Sequence, residues 1–172
     1  MDRHRVRQLV LEAAKARANA ALTLEGGKCN KELFAPFSPS PTAVIDAVWR
    51  KIEDNHVGLT SQDLLVDLGC GDGRWLVSGV QKFNCKALGV ELDENLVHRA
   101  TQEVKNLNLQ DKIQVELGDV MEADISSAKL VIVYAFAESL SGIAERLRMQ
   151  LKDDANVLSI GVSWLNWGQY CK

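Results

Sequence analysis

Apolar runs alternate with amphipathic stretches along most of the chain. Five apolar runs have the length of buried strands: residues 63–68, 86–91, 113–117, 129–135 and 156–162. The amphipathic stretches between them predict helices over residues 73–82, 93–107 and 138–152. Strands that alternate with helices through short joints pair in parallel, because each return crosses back over the sheet. The pattern predicts an α/β fold with a doubly wound, mostly parallel sheet, whose ligand lies at the carboxyl ends of the strands.

Two more helices are predicted before the first strand. Residues 3–22 and residues 42–55 repeat apolar side chains at helical spacing, and we expect Thr42 to cap the second helix. All three prolines lie in the loop between these helices. We therefore divide the chain into residues 1–55, which hold these helices and their loop, and residues 56–172, which form the ligand-binding core.

A glycine-rich turn follows the first strand. Asp67 near the end of that strand is followed by Gly69, Gly71 and Gly73. Glycines let the backbone bend tightly and let a ligand approach it, while the next helix presents its N-terminal N–H groups. Glu91 ends the second strand, about 20 residues beyond the turn, where an acid binds ribose hydroxyls. Together these features predict an adenosine-containing cofactor.

The spacing of the glycines distinguishes between cofactors. A dinucleotide-binding G-x-G-x-x-G motif needs a glycine where this chain has Arg74, and Asp67 would repel a pyrophosphate but suits a positively charged group. Residues 66–73 resemble the first motif of class I methyltransferases, which bind S-adenosylmethionine (SAM). The resemblance implies that the glycine loop contacts the methionine and ribose of SAM, that Asp67 faces the amino-acid end, and that Glu91 binds the ribose. Cys70, inside the loop, is expected to pack as a small side chain.

The same resemblance assigns residues to adenine. In SAM enzymes an acid after the third strand accepts a hydrogen bond from the adenine amino group, and Asp119 stands at this place. The N–H of Val120 is expected to reach the ring, and Leu92 is expected to pack on its face. Asp93 would cap the helix after the second strand. The alternatives are a turn-forming Gly-Asp pair for Asp119 and a plain exposed acid for Asp93.

The end of the fourth strand carries the candidates for methyl transfer. Tyr134 and Phe136 offer aromatic surface that stabilises a cation, and Glu138 is a candidate for orienting an amine. The alternative for the two aromatic residues is a pair in the hydrophobic core. The chain has neither the Asn/Asp-Pro-Pro-aromatic motif of exocyclic-amine DNA methylases nor the nucleophilic cysteine of 5-methylcytosine enzymes at this place.

The order of the motifs resembles the seven-β-strand protein-lysine methyltransferases that lack a SET domain. The resemblance extends over residues 34–164 and is carried by residues 34–41, 84–91, 133–136 and 145–147. In that group a loop like the one at Phe37 folds over the cofactor and helps to form the lysine channel. The resemblance implies a SAM-dependent N-methyltransferase with a protein lysine as its acceptor. A small-molecule or RNA acceptor, or a non-catalytic SAM-binding subunit, remains the alternative.

Composition and charge limit the class of partner. The 172 residues are 47% hydrophobic and 25% charged, which is typical of one soluble domain without a membrane span. The net charge of −3 gives no sign of nucleic-acid binding. Residues 1–30 carry six lysines and arginines against three acids, which we interpret as a solvated helix face, with contact to an acidic partner as the alternative.

The four cysteines are scattered, without the spacing of a metal site or a disulfide framework. A reducing compartment is therefore expected. We predict the cytoplasm, with the mitochondrion as the alternative because the chain begins with several arginines.

The last part of the chain departs from the family pattern. The sheet of class I methyltransferases usually closes with two more strands in an antiparallel hairpin, and the residues after Ser163 are too few for both. We expect either a sheet without its last two strands or a sequence that is cut short. In either case a partner or a missing segment would cover the sheet edge near Trp164, Trp167 and Tyr170.

Overall fold

A computed structural model gives the architecture of residues 37, 39–55, 57–134 and 140–160, with only the backbone described at 140–142. Several predictions fall outside the described residues: the helix over 3–22, Phe136, Glu138, and the aromatic residues Trp164, Trp167 and Tyr170.

Helices and strands alternate along the described residues as the sequence predicts. The elements are α1 (Thr42–Asp54), β1 (Leu64–Leu68), α2 (Arg74–Phe83), β2 (Lys86–Glu91), α3 (Glu94–Asn106), β3 (Ile113–Leu117), β4 (Ala128–Tyr134), α4 (Leu140–Gln150) and β5 (Asn156–Ile160). The bounds of β2 and β3 are those predicted, and the other described ends shift by one or two residues.

The described strands form one parallel sheet in the order β3-β2-β1-β4-β5. The chain runs outward from β1 through β2 to β3, then returns to the other side of β1 and continues through β4 to β5. This reversal beside β1 is the topological switch point at which doubly wound sheets bind their ligands. The prediction of a doubly wound, parallel α/β sheet is confirmed.

One face of the sheet is covered by α1 and α2. Trp49 of α1 is fully buried there, and its ring meets the rings of Trp75 and Phe83 edge-on at centroid distances of 5.2 and 5.5 Å. The Trp49 indole Nε1–H donates to Ser78 Oγ at 2.9 Å, so its polar atom is satisfied. Because buried tryptophans contribute about 3–5 kcal/mol, this cluster fixes α1 against the core.

The opposite face is covered by α4. Side chains alternate along a strand, so Leu65 of β1 joins the cluster under α1 and α2, while Val66 and Leu68 join a second cluster. Ile143 and Leu147 of α4 complete that second cluster, and both are at most 2% exposed. Burial on both faces explains why β1 is a continuous apolar run broken only by its acid.

The capping predictions have different outcomes. The prediction for Thr42 is wrong: Pro41 precedes the first turn of α1 in extended conformation, and no side chain caps that helix. Asp93 does cap α3, because its carboxylate accepts the backbone N–H of Asn95 at 2.8 Å and that of Leu96 at 3.4 Å.

Candidate cofactor-binding and active site

The loop after β1 turns through three glycines with left-handed backbone angles. The φ values are +84° at Gly69, +56° at Gly71 and +78° at Gly73, a region that other residues rarely adopt. The N–H of Gly69 donates to the carbonyl of Val90 at 2.9 Å, and Gly73 directly precedes α2. The loop therefore lies against the end of β2, which confirms the predicted strand–turn–helix arrangement.

Glu91 joins this loop to the end of β2. Its Oε2 accepts the Gly71 N–H at 2.9 Å, and its Oε1 accepts the N–H groups of Leu92 at 2.8 Å and Asp93 at 3.0 Å. Three backbone donors thus fix a carboxylate that is only 9% exposed, and each of its oxygens keeps further accepting capacity. The two predicted motifs form one structural unit.

Asp67 is the buried acid beside the glycine loop. It is 2% exposed, and its Oδ2 has no hydrogen-bond partner. Burial raises the pKa of Asp67 to about 8, and the negative charges of Glu91 and Asp72 add to the increase. A buried, unsatisfied carboxyl is costly unless a ligand completes it. The site therefore fits a cationic ligand group, which would stabilise the ionised form.

Phe37 lies over the glycine loop. A methyl group added at Gly71 would come within 2.7 Å of Phe37 Cε2, so the ring packs directly on the bare glycine backbone. Arg99 of α3 places its guanidinium 5.7 Å from the centre of the same ring, within the range of a cation–π contact. Phe37 is thus placed where the sequence resemblance predicts a covering residue.

The segment that follows Phe37 is tied to the start of α2. Arg74 Nη1 donates to the Ser40 carbonyl at 2.7 Å, and Trp75 Nε1 donates to Ser40 Oγ at 3.0 Å. Arg74 also pairs with Asp72 through Nη2 at 2.5 Å. Burial works to raise the pKa of Asp72, but the hydrogen bonds and charge of Arg74 outweigh it, so this pKa is lowered. Arg74 therefore holds the covering segment in place.

The residues predicted to bind adenine lie at the neighbouring ends of β2 and β3. Gly118 N–H donates to the Glu91 carbonyl at 2.9 Å, which brings the two strand ends together. Leu92 is 48% exposed there, whereas the Val120 side chain is buried in the cluster under α4. Asp119 Oδ1 accepts the backbone N–H two residues on, at 2.8 Å. The turn-forming role of Asp119 is therefore observed, and its role toward adenine stays a prediction.

Tyr134 ends β4, the strand that flanks β1 at the switch point. Asp67 pairs with Ile132 across the two strands, so Tyr134 lies two residues nearer the carboxyl edge on the same face of the sheet as Asp67. Its ring is half-buried and packs against the cluster under α1 and α2. The structure therefore brings Tyr134 to the same edge as Asp67. The core interpretation holds for its packed side, and its catalytic role stays a prediction.

The comparison with known families decides what this edge belongs to. Residues 67–169, more than half of the chain, match the family model described as the ANTKMT methyltransferase domain. The chain belongs to this methyltransferase family. Its first matched residue is Asp67, so the match includes the whole glycine loop, Glu91 and the loop after β3.

Individual relatives of this ANTKMT-family domain carry more specific names. A "Protein-lysine N-methyltransferase" from Saccharolobus islandicus (strain REY15A) is 29% identical over 125 residues, which cover 72% of this chain and 74% of the relative. A lysine N-methyltransferase from Homo sapiens, named for the ATP synthase, is 23% identical over 80% of this chain. The match covers 56% of the human protein.

A solved structure resembles the same methyltransferase domain. It is an RNA methyltransferase from Salinibacter ruber in complex with S-adenosylhomocysteine. The TM-score is 0.64 with 32% identity, over 71% of this chain and 76% of that one. SAM is accordingly the cofactor of this methyltransferase, and the unsatisfied Asp67 carboxyl fits its positively charged end.

Cys70 takes no part as a nucleophile in this domain. It is 4% exposed, and burial raises the pKa of its thiol well above the usual range, with the charges of Asp67 and Glu91 adding to the increase. Its Sγ fills the space beside Gly89, where an added methyl would lie 2.7 Å from the sulfur. The prediction that Cys70 packs as a small side chain is confirmed.

The mouth of the methyltransferase site is acidic. The loops after β1, β2 and β3 contain no lysine or arginine. The carboxylates at the strand ends and in these loops are Asp72, Glu91, Asp93, Asp119, Glu122 and Asp124. Across the described ranges, no helix is long and apolar enough to cross a membrane. Those ranges also hold no cluster of three or more His, Cys, Asp or Glu side chains that could bind a metal ion.

Several contacts that hold this site together cannot be found in the sequence pattern. In the sequence Arg74 is notable only as the residue that replaces a glycine, and nothing distinguishes Arg99 or Ser40. Their partners are distant along the chain, for example 34 residues between Arg74 and Ser40. Only the departure of Arg74 from a dinucleotide motif could draw attention to it.

Proposed function

We propose that this methyltransferase transfers a methyl group from SAM to a lysine side chain of a protein. The observation that carries the proposal is the similarity to the archaeal protein-lysine N-methyltransferase, which extends over about three quarters of both chains. The human relative, whose name also specifies a lysine acceptor, supports it. Because this chain corresponds to little more than half of the human protein, the proposal extends to the class of acceptor, not to the human substrate.

The residues around the glycine loop would hold the cofactor. SAM, when bound, supplies an electrophilic methyl group on a positively charged sulfur. In this proposal Asp67 faces the amino-acid end, Glu91 accepts the ribose hydroxyls, and Phe37 covers the site. The loop glycines let the ligand lie against the backbone. Exclusion of water by the covering segment strengthens each of these electrostatic contacts.

The acceptor amine must be neutral before it can attack. An apolar, aromatic environment near a sulfonium lowers the pKa of an amine by desolvation and by charge repulsion. Tyr134, Phe136 and Glu138 are our candidates for this environment, with the aromatic rings forming the wall and Glu138 orienting the amine. Catalysis is then mainly positioning, since the in-line approach of amine and methyl group needs no separate nucleophile on the enzyme.

An RNA acceptor is the second candidate, because the Salinibacter structure is that of an RNA methyltransferase. The acidic loops around the mouth disfavour it, since a phosphate backbone is repelled by carboxylates and attracted by lysine and arginine. The same carboxylates favour the approach of a lysine-rich protein segment.

Transfer of a labelled methyl group distinguishes the two acceptors. The purified chain would be incubated with methyl-labelled SAM and a methylation-deficient cell extract, and portions would be treated with protease or ribonuclease. We expect label in protein, recovered as methyllysine after acid hydrolysis, and at least tenfold less label with Tyr134→Ala. Tyr134→Phe, which keeps the ring, is the matched control. Label that disappears with ribonuclease and resists protease would overturn the lysine proposal.

The compartment and the sheet edge belong to the same proposal. We place the protein in the cytoplasm, supported by the free, buried thiols of Cys70 and Cys85. A partner or a further chain segment would cover β5, the outer strand of the described sheet on that side. Cell fractionation tests the first statement, and native mass spectrometry of the protein from its own cells tests the second.

A further inference from the structure

Arg146 connects the helix after β4 to the loop after β3. It lies on α4, and its guanidinium donates through Nη1 to the Val120 carbonyl and through Nη2 to the Ala123 carbonyl. These two carbonyls belong to the loop that follows Asp119. One side chain therefore bridges two points of a loop that is more than twenty residues away in the chain.

The same loop is held from its other side by Asp119. The Val120 carbonyl and the Met121 N–H belong to one peptide group. Met121 N–H donates to Asp119 Oδ1 at 2.8 Å, while the carbonyl accepts from Arg146. This peptide is clamped at both ends, and one oxygen of Asp119 is engaged by the clamp. The orientation of the Asp119 carboxylate is thereby fixed by contacts that begin at Arg146.

The presence of an arginine here is informative. Its planar fork reaches two carbonyls at once, which a lysine cannot do. The neighbouring α4 residues Ile143 and Leu147 are buried apolar side chains, so an aliphatic residue would pack beside them without any cost of desolvation. Partial burial does lower the pKa of Arg146, and the nearby carboxylates of Asp119 and Asp124 oppose that decrease. A charged group kept in such a place is better explained by what it orients than by packing.

We propose that Arg146 is a positioning residue for adenine recognition, acting through the clamped peptide to orient Asp119. The inference rests on the proposed function, specifically on SAM as the cofactor and on Asp119 as the acceptor for the adenine amino group. Arg146 itself does not touch the adenine. It makes the loop after β3 a pre-formed hydrogen-bonding surface rather than one that must be ordered when the cofactor binds.

Two ligands that differ only in the base test this role. S-adenosylhomocysteine carries the amino donor, whereas S-inosylhomocysteine carries a carbonyl oxygen in its place. The dissociation constants of both would be measured by isothermal titration for the intact chain, Arg146→Gln, Arg146→Lys and Asp119→Asn. Arg148→Gln is the matched control, because Arg148 is an exposed arginine on the same helix.

For the intact chain and Arg148→Gln we expect the adenine ligand to bind about tenfold or more tightly than the hypoxanthine ligand, since a buried site built for a donor rejects its loss. In Arg146→Gln and Asp119→Asn this preference should fall to about threefold or less, with Arg146→Lys between them because it keeps one bond. The melting temperature of each variant shows whether it is folded, and Arg146→Lys carries the test if Arg146→Gln is not.

Each other outcome has a definite meaning. If Arg146→Gln weakens both ligands equally and keeps the preference, Arg146 only supports the fold and the inference is wrong. If the intact chain shows no preference, Asp119 does not recognise the amino group, and the inference fails while lysine methylation stands. If neither ligand binds the intact chain, both the inference and the proposed function are overturned.

Discussion

After burial itself, the carboxylate of Glu91 is the strongest influence that raises the pKa of Asp67 to about 8. The two acids share one site but differ in their contacts. Glu91 is held by three backbone N–H groups, whereas Oδ2 of Asp67 has none. Asp67 is therefore the group in this site whose protonation responds most directly to a bound cation, and its consequences can be measured.

Binding of SAM should release a proton near neutral pH. Without ligand, Asp67 is mostly protonated at pH 7, and a positive group bound beside it favours the ionised form. The binding enthalpy should then depend on the ionisation enthalpy of the buffer when phosphate and Tris are compared at pH 7. Asp67→Asn should abolish this dependence. An enthalpy that is the same in both buffers for the intact chain would show that Asp67 does not ionise on binding.

The stability of the chain should fall as the pH rises from 4 to 8. The pKa of Asp67 is about 8 in the folded chain and near 3.8 when unfolded, so the unfolded chain loses its proton first. The contribution is fully present below pH 4 and is lost as pH rises through 8. Asp67→Asn, which cannot ionise, should match the intact chain at pH 4 and exceed it by a few kcal/mol at pH 8.5.

Urea unfolding across this pH range measures the difference. Asp93→Asn is a useful control, because Asp93 stabilises α3 as a cap but lies outside the buried pair. Its effect on the free energy of unfolding should not grow between pH 5 and 8.5. If the difference between Asp67→Asn and the intact chain stays constant over this range, Asp67 is ionised in the folded chain and the explanation fails.

Glu91→Gln should weaken SAM binding at least tenfold and lower the free energy of unfolding by about 1–3 kcal/mol. The amide places an NH2 group against at least one backbone N–H that now has an acceptor, and it removes the charge from those bonds. Glu94→Gln is the matched control, since Glu94 is exposed three residues further along. Equal effects of the two variants on titrated SAM affinity would exclude a specific role for Glu91.

Alanine at three glycines should separate backbone strain from the covering contact. Gly58→Ala should cost little, because its added methyl meets nothing within 4 Å. Gly69→Ala adds the left-handed backbone without a collision, at about 1–2 kcal/mol. Gly71→Ala adds the same strain and also displaces the Phe37 ring. We therefore expect the largest loss of SAM affinity, measured by isothermal titration, for Gly71→Ala.

A double variant checks the reason for that loss. In the Phe37→Ala background the ring is absent, so Gly71→Ala should retain only its backbone strain and should resemble Gly69→Ala in thermal unfolding. If Gly71→Ala remains as damaging without the ring as with it, the contact with Phe37 is not the cause.

The predictions from sequence succeed where the relevant physics is local or where strand topology carries it. The loop glycines, Asp67 and Glu91 can be identified because a parallel βαβ unit places successive strand ends at one edge of the sheet. Asp93 can be identified as a cap because its bonds reach only two and three residues. The prediction for Thr42 fails because the backbone at Pro41, rather than the residue type, decides where α1 begins.

The sequence by itself determined the order of strands and helices, the doubly wound class of the sheet, and the acids and glycines of the cofactor edge. Only the tertiary structure decided how the edge is closed: Phe37 on Gly71, Arg74 on Ser40, and Arg146 on the loop after β3. The physical reason is range. Periodicity and turn chemistry act over a few residues, whereas these contacts join segments that meet only when helices pack on the two faces of the sheet.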